Sequence, residues 1–88
     1  MTYAVLVSRT FQKQFQILGE DARNRIRNSL KDLAPDPFTP RSGLDIKILT
    51  DSHPKKYRLR VGEYRIIYAV DSSSVRIIEI FRRGREYR

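Results

Sequence analysis

The sequence predicts an α+β domain of order β-α-α-β-β-β, an antiparallel sheet with a helix hairpin packed on one face. Three observations predict it. Residues 57–70 form two strand-like runs around Gly62-Glu63, the pattern of a tight β-hairpin. Apolar residues from Phe11 to Leu33 recur at spacings of three and four, which is helical periodicity. Residues 3–7 and 75–81 are short apolar, β-branched runs. The 88 residues make one domain, 1–88, of a size that buries only about 60–65% of its unfolded surface.

Residues 3–7 (YAVLV) read as a short, mostly buried first strand. Ser8 or Thr10 can then cap a helix, because a hydroxyl oxygen accepts from the free N–H groups of the first turn. Phe11, Phe15 and Leu18 give its apolar stripe, and Gly19 sits where a helix commonly stops. Glu20 and Asp21 mark a second N-terminus, where carboxylates complement the helix dipole. Ala22, Ile26, Leu30 and Leu33 form the buried face of that helix, Lys31 lies in its last turn, and Pro35 ends it. Arg23, Arg25 and Arg27 lie off the stripe and read as a solvated face. Residues 34–43 (APDPFTPRSG) contain three prolines and form a loop. Neither side of it is large enough to fold alone, so it is no domain boundary. Residues 44–49 (LDIKIL) resume alternation as an edge strand or an extended segment, and residues 50–54 (TDSHP) turn again.

The hairpin is the most decided stretch. Gly62 suits the first position of a turn that needs a positive φ. That loop sets Val61 opposite Tyr64, Arg60 opposite Arg65, Leu59 opposite Ile66, Arg58 opposite Ile67 and Tyr57 opposite Tyr68. One face then carries Tyr57, Leu59, Val61, Tyr64, Ile66 and Tyr68, and the other carries Arg58, Arg60 and Arg65. Like charges directly opposite one another destabilise a hairpin, and in this register no acid stands beside Arg60 and Arg65. Either solvent and salt screen the pair or the face awaits an anion; the charge of the whole chain favours the anion. After a turn at residues 71–74 (DSSS), residues 75–81 (VRIIEIF) are apolar on both faces. Such a strand belongs in the middle of a sheet and leaves its own register open.

Charge narrows the partners. Eighteen Lys and Arg against ten acids give a net +8 and a pI near 10.3, which points to a polyanion: RNA, DNA or an acidic protein. Most of the cations are arginine, whose planar fork grips phosphate in two places and stacks on bases. With no cysteine there is no disulfide framework and no thiolate metal site. No apolar run approaches the roughly 18 residues of a membrane span, and the start lacks a secretory signal, so the cytoplasm is the expected location. Phosphate-binding glycine loops, Cys/His metal spacings and nucleophile elbows are absent, and no cofactor or metal is expected. His53, the single histidine, lies in a loop beside Pro54 and reads as a bystander.

What remains is an arginine face and the tail RRGREYR. Cations in fixed positions suit attack of an RNA 2′-hydroxyl on its own 3′-phosphate. Negative charge grows on the phosphorane oxygens and on the departing 5′-oxygen, and preorganised cations stabilise it. Proton transfer still needs a base and an acid, and arginine stays protonated. Tyr87, between Arg85 and Arg88, has the neighbours that lower a phenol pKa; packing of the same ring on the sheet is the other reading.

Residues 57–71 (YRLRVGEYRIIYAVD) and 77–88 (IIEIFRRGREYR) together resemble the RelE/ParE superfamily of toxins from type II toxin–antitoxin systems. The RelE branch is the nearer in pattern, especially its archaeal-type members with an R-G-R-x-Y tail, and the likeness spans essentially the whole chain. The resemblance implies a ribosome-dependent mRNA endoribonuclease that enters the 30S A site and cleaves the codon by metal-independent 2′-hydroxyl attack, inhibiting translation. It places Arg58 and Arg60 at basic second-strand positions that are often lysine, Arg65 after the turn, Arg83 at the end of the last strand and Tyr87 at the terminal tyrosine. These are the candidate catalytic residues. Lys55, Lys56, Arg82, Arg85 and Arg88 are candidate RNA contacts, with Arg82 and Arg85 alternatives for part of the role of Arg83. Arginine at 58 and 60 departs from the family, because a lysine there is a possible base and an arginine is not. The resemblance also implies a cognate acidic, RelB-like antitoxin bound in a hetero-oligomer, with the toxin monomeric alone. Two other readings remain, a ParE-like inhibitor of DNA gyrase and a non-catalytic basic RNA-binding module.

Overall fold

In a computed structural model, which describes residues 2–49 and 55–83, the chain runs β1 (Ala4–Val7), α1 (Arg9–Gln16), α2 (Glu20–Leu33), β2 (Asp45–Leu49), β3 (Lys56–Val61), β4 (Tyr64–Val70) and β5 (Ser74–Arg82). The strands form one sheet in the order β1-β5-β4-β3-β2. Neighbours are antiparallel except β1 and β5, which pair in parallel. The α+β class expected from the sequence therefore holds, with a mixed sheet of five strands. Residues 44–49, open between edge strand and extended segment, supply the edge strand β2.

Ser8 joins the two layers. Its Oγ accepts from the Phe11 backbone N–H at 2.9 Å, capping α1. Its own N–H donates to the Ile77 carbonyl at 2.9 Å and its hydroxyl donates to the Ile78 carbonyl. Gln14 continues the seam, its side-chain oxygen accepting from the Ile80 N–H at 2.7 Å. Beyond the last residue of β1, helix α1 thus satisfies the β5 edge that would otherwise stay unpaired.

The three arginines read as a solvated face are each in use. Arg23 donates to the carbonyls of Gln16 and Leu18, groups left open at the end of α1. Arg27 lies over the Phe15 ring at 5.4 Å. Arg25 reaches the hairpin tip, where a Cβ at position 62 would meet its Nη2 at 2.5 Å. Gly62, at φ 58°, is required both for its backbone and for the room it leaves. Gly19, expected after the end of α1, instead stands at the N-cap of α2 with φ −66°.

The hairpin pairs as its sequence predicts, from Val61 opposite Tyr64 to Tyr57 opposite Tyr68. Strand β5 is less regular. Tyr68 pairs with Ile77 while Ile67 pairs with Glu79, so Ile78 is an extra residue, a β-bulge. Val75 and Ile77 before it and Ile80 after it all reach the core, which accounts for the mixed alternation of residues 75–81. Phe11, Ile26, Leu33, Leu59 and Ile66 complete that core beneath the helices.

The proline-bearing loop closes one end of it. Phe38 packs edge-on against Tyr57 at 5.7 Å, and Tyr57 stacks on Tyr68 at 5.3 Å. Arg41 pins the loop by donating to the carbonyls of Asp32, Asp36 and Thr39. The buried Tyr68 hydroxyl donates to the Pro37 carbonyl at 2.7 Å. Burial raises its pKa above the ordinary phenol value, so it remains a donor. Tyr68→Phe leaves that carbonyl without its donor and is expected to cost about 1–3 kcal/mol. Urea unfolding checks this as a lower midpoint with an unchanged slope.

Candidate functional site

Paired residues on adjacent strands share a face, so the register lays out the side of the sheet away from the helices. One row runs Asp45, Arg60, Arg65, Phe81. The next runs Lys47, Arg58, Ile67, Glu79, and a third holds Lys56, Ala69 and Arg76. Arg58, Arg60 and Arg65 are brought together as the sequence predicts. Arg83 follows β5, its backbone N–H donating to the Glu63 carbonyl at 2.6 Å, which holds it beside the hairpin turn.

Arg65 is 8% exposed, unusual for a guanidinium because burial removes hydration from a permanent charge. It sits on the strand between Arg60 and Phe81, with the buried Ile67 two residues further on. Arg58 is also partly sunk, with 22% of its side chain exposed, and its Nε is buried with no hydrogen-bond partner among the described residues. Arg65 thus lies beside apolar Phe81 and Ile67 at the cationic centre of the face.

The expectation that no acid accompanies Arg60 and Arg65 is overturned. Asp45 lies directly across from Arg60 on β2. One of its oxygens meets Arg58 Nη2 at 3.0 Å and the other lies 3.9 Å from Arg60 Nη1. The hairpin alone cannot reveal this acid, because it belongs to a third strand. Its signal was the alternation of LDIKIL, which in antiparallel register puts Asp45 and Lys47 on the arginine side. Glu79 is a second carboxylate on that face, and neither was singled out by sequence. Beside Asp45 and Arg60 a hollow of about 330 Å³ is lined by Arg41, Gly43, Leu44 and Gly62.

The remaining candidates divide. Lys56 lies on the arginine face and Lys55 is exposed just before β3. Arg82 is not brought there: alternation turns it to the helix side, where it pairs with Glu63 at 2.9 Å and lies over the Tyr64 ring at 5.9 Å. Arg85, Tyr87, Arg88 and His53 lie outside the described residues.

The family model of the ParE toxin of type II toxin–antitoxin systems, parDE, matches residues 5–87. The chain belongs to this toxin family. A chain in the crystal structure of the archaeal RelE–RelB complex from Pyrococcus horikoshii OT3 is 30% identical to the toxin, with a TM-score of 0.82, and the match covers 98% of this chain and 100% of that one. In the RelB–RelE antitoxin–toxin complex from Methanococcus jannaschii the match is 26% identical, with a TM-score of 0.71 and 88% of each chain covered. The isolated E. coli RelE toxin shares the fold at a TM-score of 0.73 and 18% identity, over 96% of this chain and 87% of that one. No curated protein sequence matches the chain. The RelE/ParE resemblance read from the hairpin and tail is therefore correct, and this toxin has the fold that those structures share. In it, β3 and β4 carry the arginines, β2 carries their counterion, and the helices hold the hairpin from behind.

Proposed function

We propose that this toxin is a ribosome-dependent mRNA endoribonuclease acting in the cytoplasm on the codon in the 30S A site. The observation that carries the reading is the arginine face, with Arg65 held nearly out of solvent at its centre and Arg58 and Arg60 one strand away. Fixed cations in a poorly solvated setting stabilise a charge-developing transition state without reorganising. The 2′-oxygen attacks the adjacent phosphorus and the bond from phosphorus to the 5′-oxygen breaks, leaving a 2′,3′-cyclic phosphate and a 5′-hydroxyl. Arg65 and Arg83 neutralise the phosphorane oxygens, while Arg58 and Arg60 position the phosphate. The 2′-hydroxyl proton leaves to a base, the role for which Tyr87 is the candidate, and the 5′-oxygen gains a proton from an acid. Lys55, Lys56, Arg85 and Arg88 hold the flanking backbone.

An acidic RelB-like antitoxin is the proposed protein partner. The net charge of +8 favours it electrostatically, and relatives from P. horikoshii and M. jannaschii form complexes with RelB. The ParE name of the matching family favours a second reading, inhibition of DNA gyrase. Mapping mRNA 5′ ends after brief induction separates them. New ends at codon positions within translated messages are expected, with free RNA left intact. Intact mRNA with a DNA-damage response transfers the assignment to gyrase, and intact mRNA without one leaves a basic RNA-binding module.

A further inference from the structure

Asp45 has a geometry that the RNA-cleavage reading does not use. Its two carboxylate oxygens address two different arginines, one at hydrogen-bond distance and one at 3.9 Å, much as two oxygens of one phosphodiester would. The pair is open to exchange. Asp45 is 54% exposed and Arg60 44%, and ion pairs this accessible contribute little to stability. The hollow lined by Asp45, Arg60 and Gly62 gives an incoming phosphate a place beside the carboxylate. Glu79 is the other acid in the paired rows of that face, and it stands across Ile67 from Arg58.

We infer that Asp45 is a built-in competitor for the RNA backbone: it holds Arg58 and Arg60 in position and lowers the affinity of the face for RNA outside the ribosome. This rests on RNA being the substrate. In the free toxin the carboxylate relieves repulsion among Arg58, Arg60 and Arg65. When RNA arrives, a phosphate oxygen takes over the contact with Arg60, so part of the attraction replaces an existing ion pair rather than adding to it. Generic RNA then binds weakly, and further contacts on the ribosome must make up the difference. Asp45 is thereby a positioning and selectivity residue.

The test is binding of the purified full chain to a single-stranded RNA oligonucleotide, followed by fluorescence anisotropy across a salt series for wild type, Asp45→Asn and Asp45→Ala. Freeing one arginine for a phosphate steepens the slope of log K against log[salt] by about 0.7. Both variants are expected to bind several-fold more tightly at low salt, to show the steeper slope, and to converge on wild type at high salt. Thermal midpoints should fall at low salt, where the arginines repel, and recover as salt screens them. An unchanged or shallower slope in both variants overturns the inference and leaves the cleavage reading standing. Failure of both to fold at any salt makes Asp45 purely structural and also overturns it. Wild type that binds RNA without salt dependence overturns this inference and the RNA reading together.

Discussion

Arg65→Ala is expected to abolish growth arrest and to lower codon-level cleavage roughly 10²–10³-fold, the loss seen when one preorganised donor to a developing oxyanion is removed. The size follows from position. Arg65 is 8% exposed on an interior strand, so solvent cannot readily replace the charge once it is gone. Arg60, directly across on β3, is itself 44% exposed and keeps its charge in water rather than in the buried position that Arg65 vacates. The fold should survive. Truncation removes a desolvated charge as well as the packing of its stem, and the helix-facing core is untouched. Arg65→Lys keeps the charge but loses the planar fork and should recover part of the activity. Circular dichroism with thermal unfolding must show a folded variant, and mapped mRNA ends then report the chemistry. A folded Arg65→Ala that still arrests growth at the wild-type level removes Arg65 from the mechanism. Arg83, exposed after β5, is the companion position, and its alanine variant should lose activity with less effect on stability.

Leu59→Ala should do the opposite, weakening the fold and leaving the chemistry of the folded fraction intact. Leu59 is fully buried, pairs with Ile46 on one side and Ile66 on the other, and points into the layer beneath the helices. Truncating a buried leucine costs about 2–5 kcal/mol, because the surrounding side chains collapse only partly into the space. A small domain has roughly 5–15 kcal/mol in total, so the thermal midpoint should drop on the order of 10–30 °C. Urea and thermal unfolding measure this directly. A loss below about 1 kcal/mol would show that the site repacks freely and that the core around the hairpin is not the closely fitted one described. Toxicity should persist in proportion to the folded fraction at low temperature. Leu59 faces the core and Arg60, next to it on the same strand, faces the arginine side, so substitutions at the two positions should separate loss of stability from loss of activity.

The parts legible in the sequence are those set by near neighbours. The hairpin register follows from a two-residue loop and period-two alternation, and all of its predicted pairs are present. Ser8, the apolar stripe from Phe11 to Leu33 and the stop before Pro35 are equally local. What was not legible needs a partner distant in the chain. Asp45 becomes a counterion only once β2 pairs with β3. Arg23 and Arg25 acquire roles from the end of α1 and the tip of the hairpin, which their helical positions do not disclose. The parallel pairing of β1 with β5 joins residues some 70 positions apart, and no turn chemistry announces it.

The extra residue at Ile78 has a last consequence. A strand reads like a two-stroke code in which odd and even positions address opposite sides, and one inserted residue reverses the parity of everything after it. In an uninterrupted β5, Phe81 would share a side with Val75 and Ile77, under the helices, while Ile80 would pair with Arg65 and Arg82 would lie on the arginine side. The half-step at Ile78 reverses this, directing Arg82 to Glu63 and Tyr64 and setting Phe81 beside Arg65. A single backbone irregularity four residues upstream thus decides which side of the sheet Arg82 occupies.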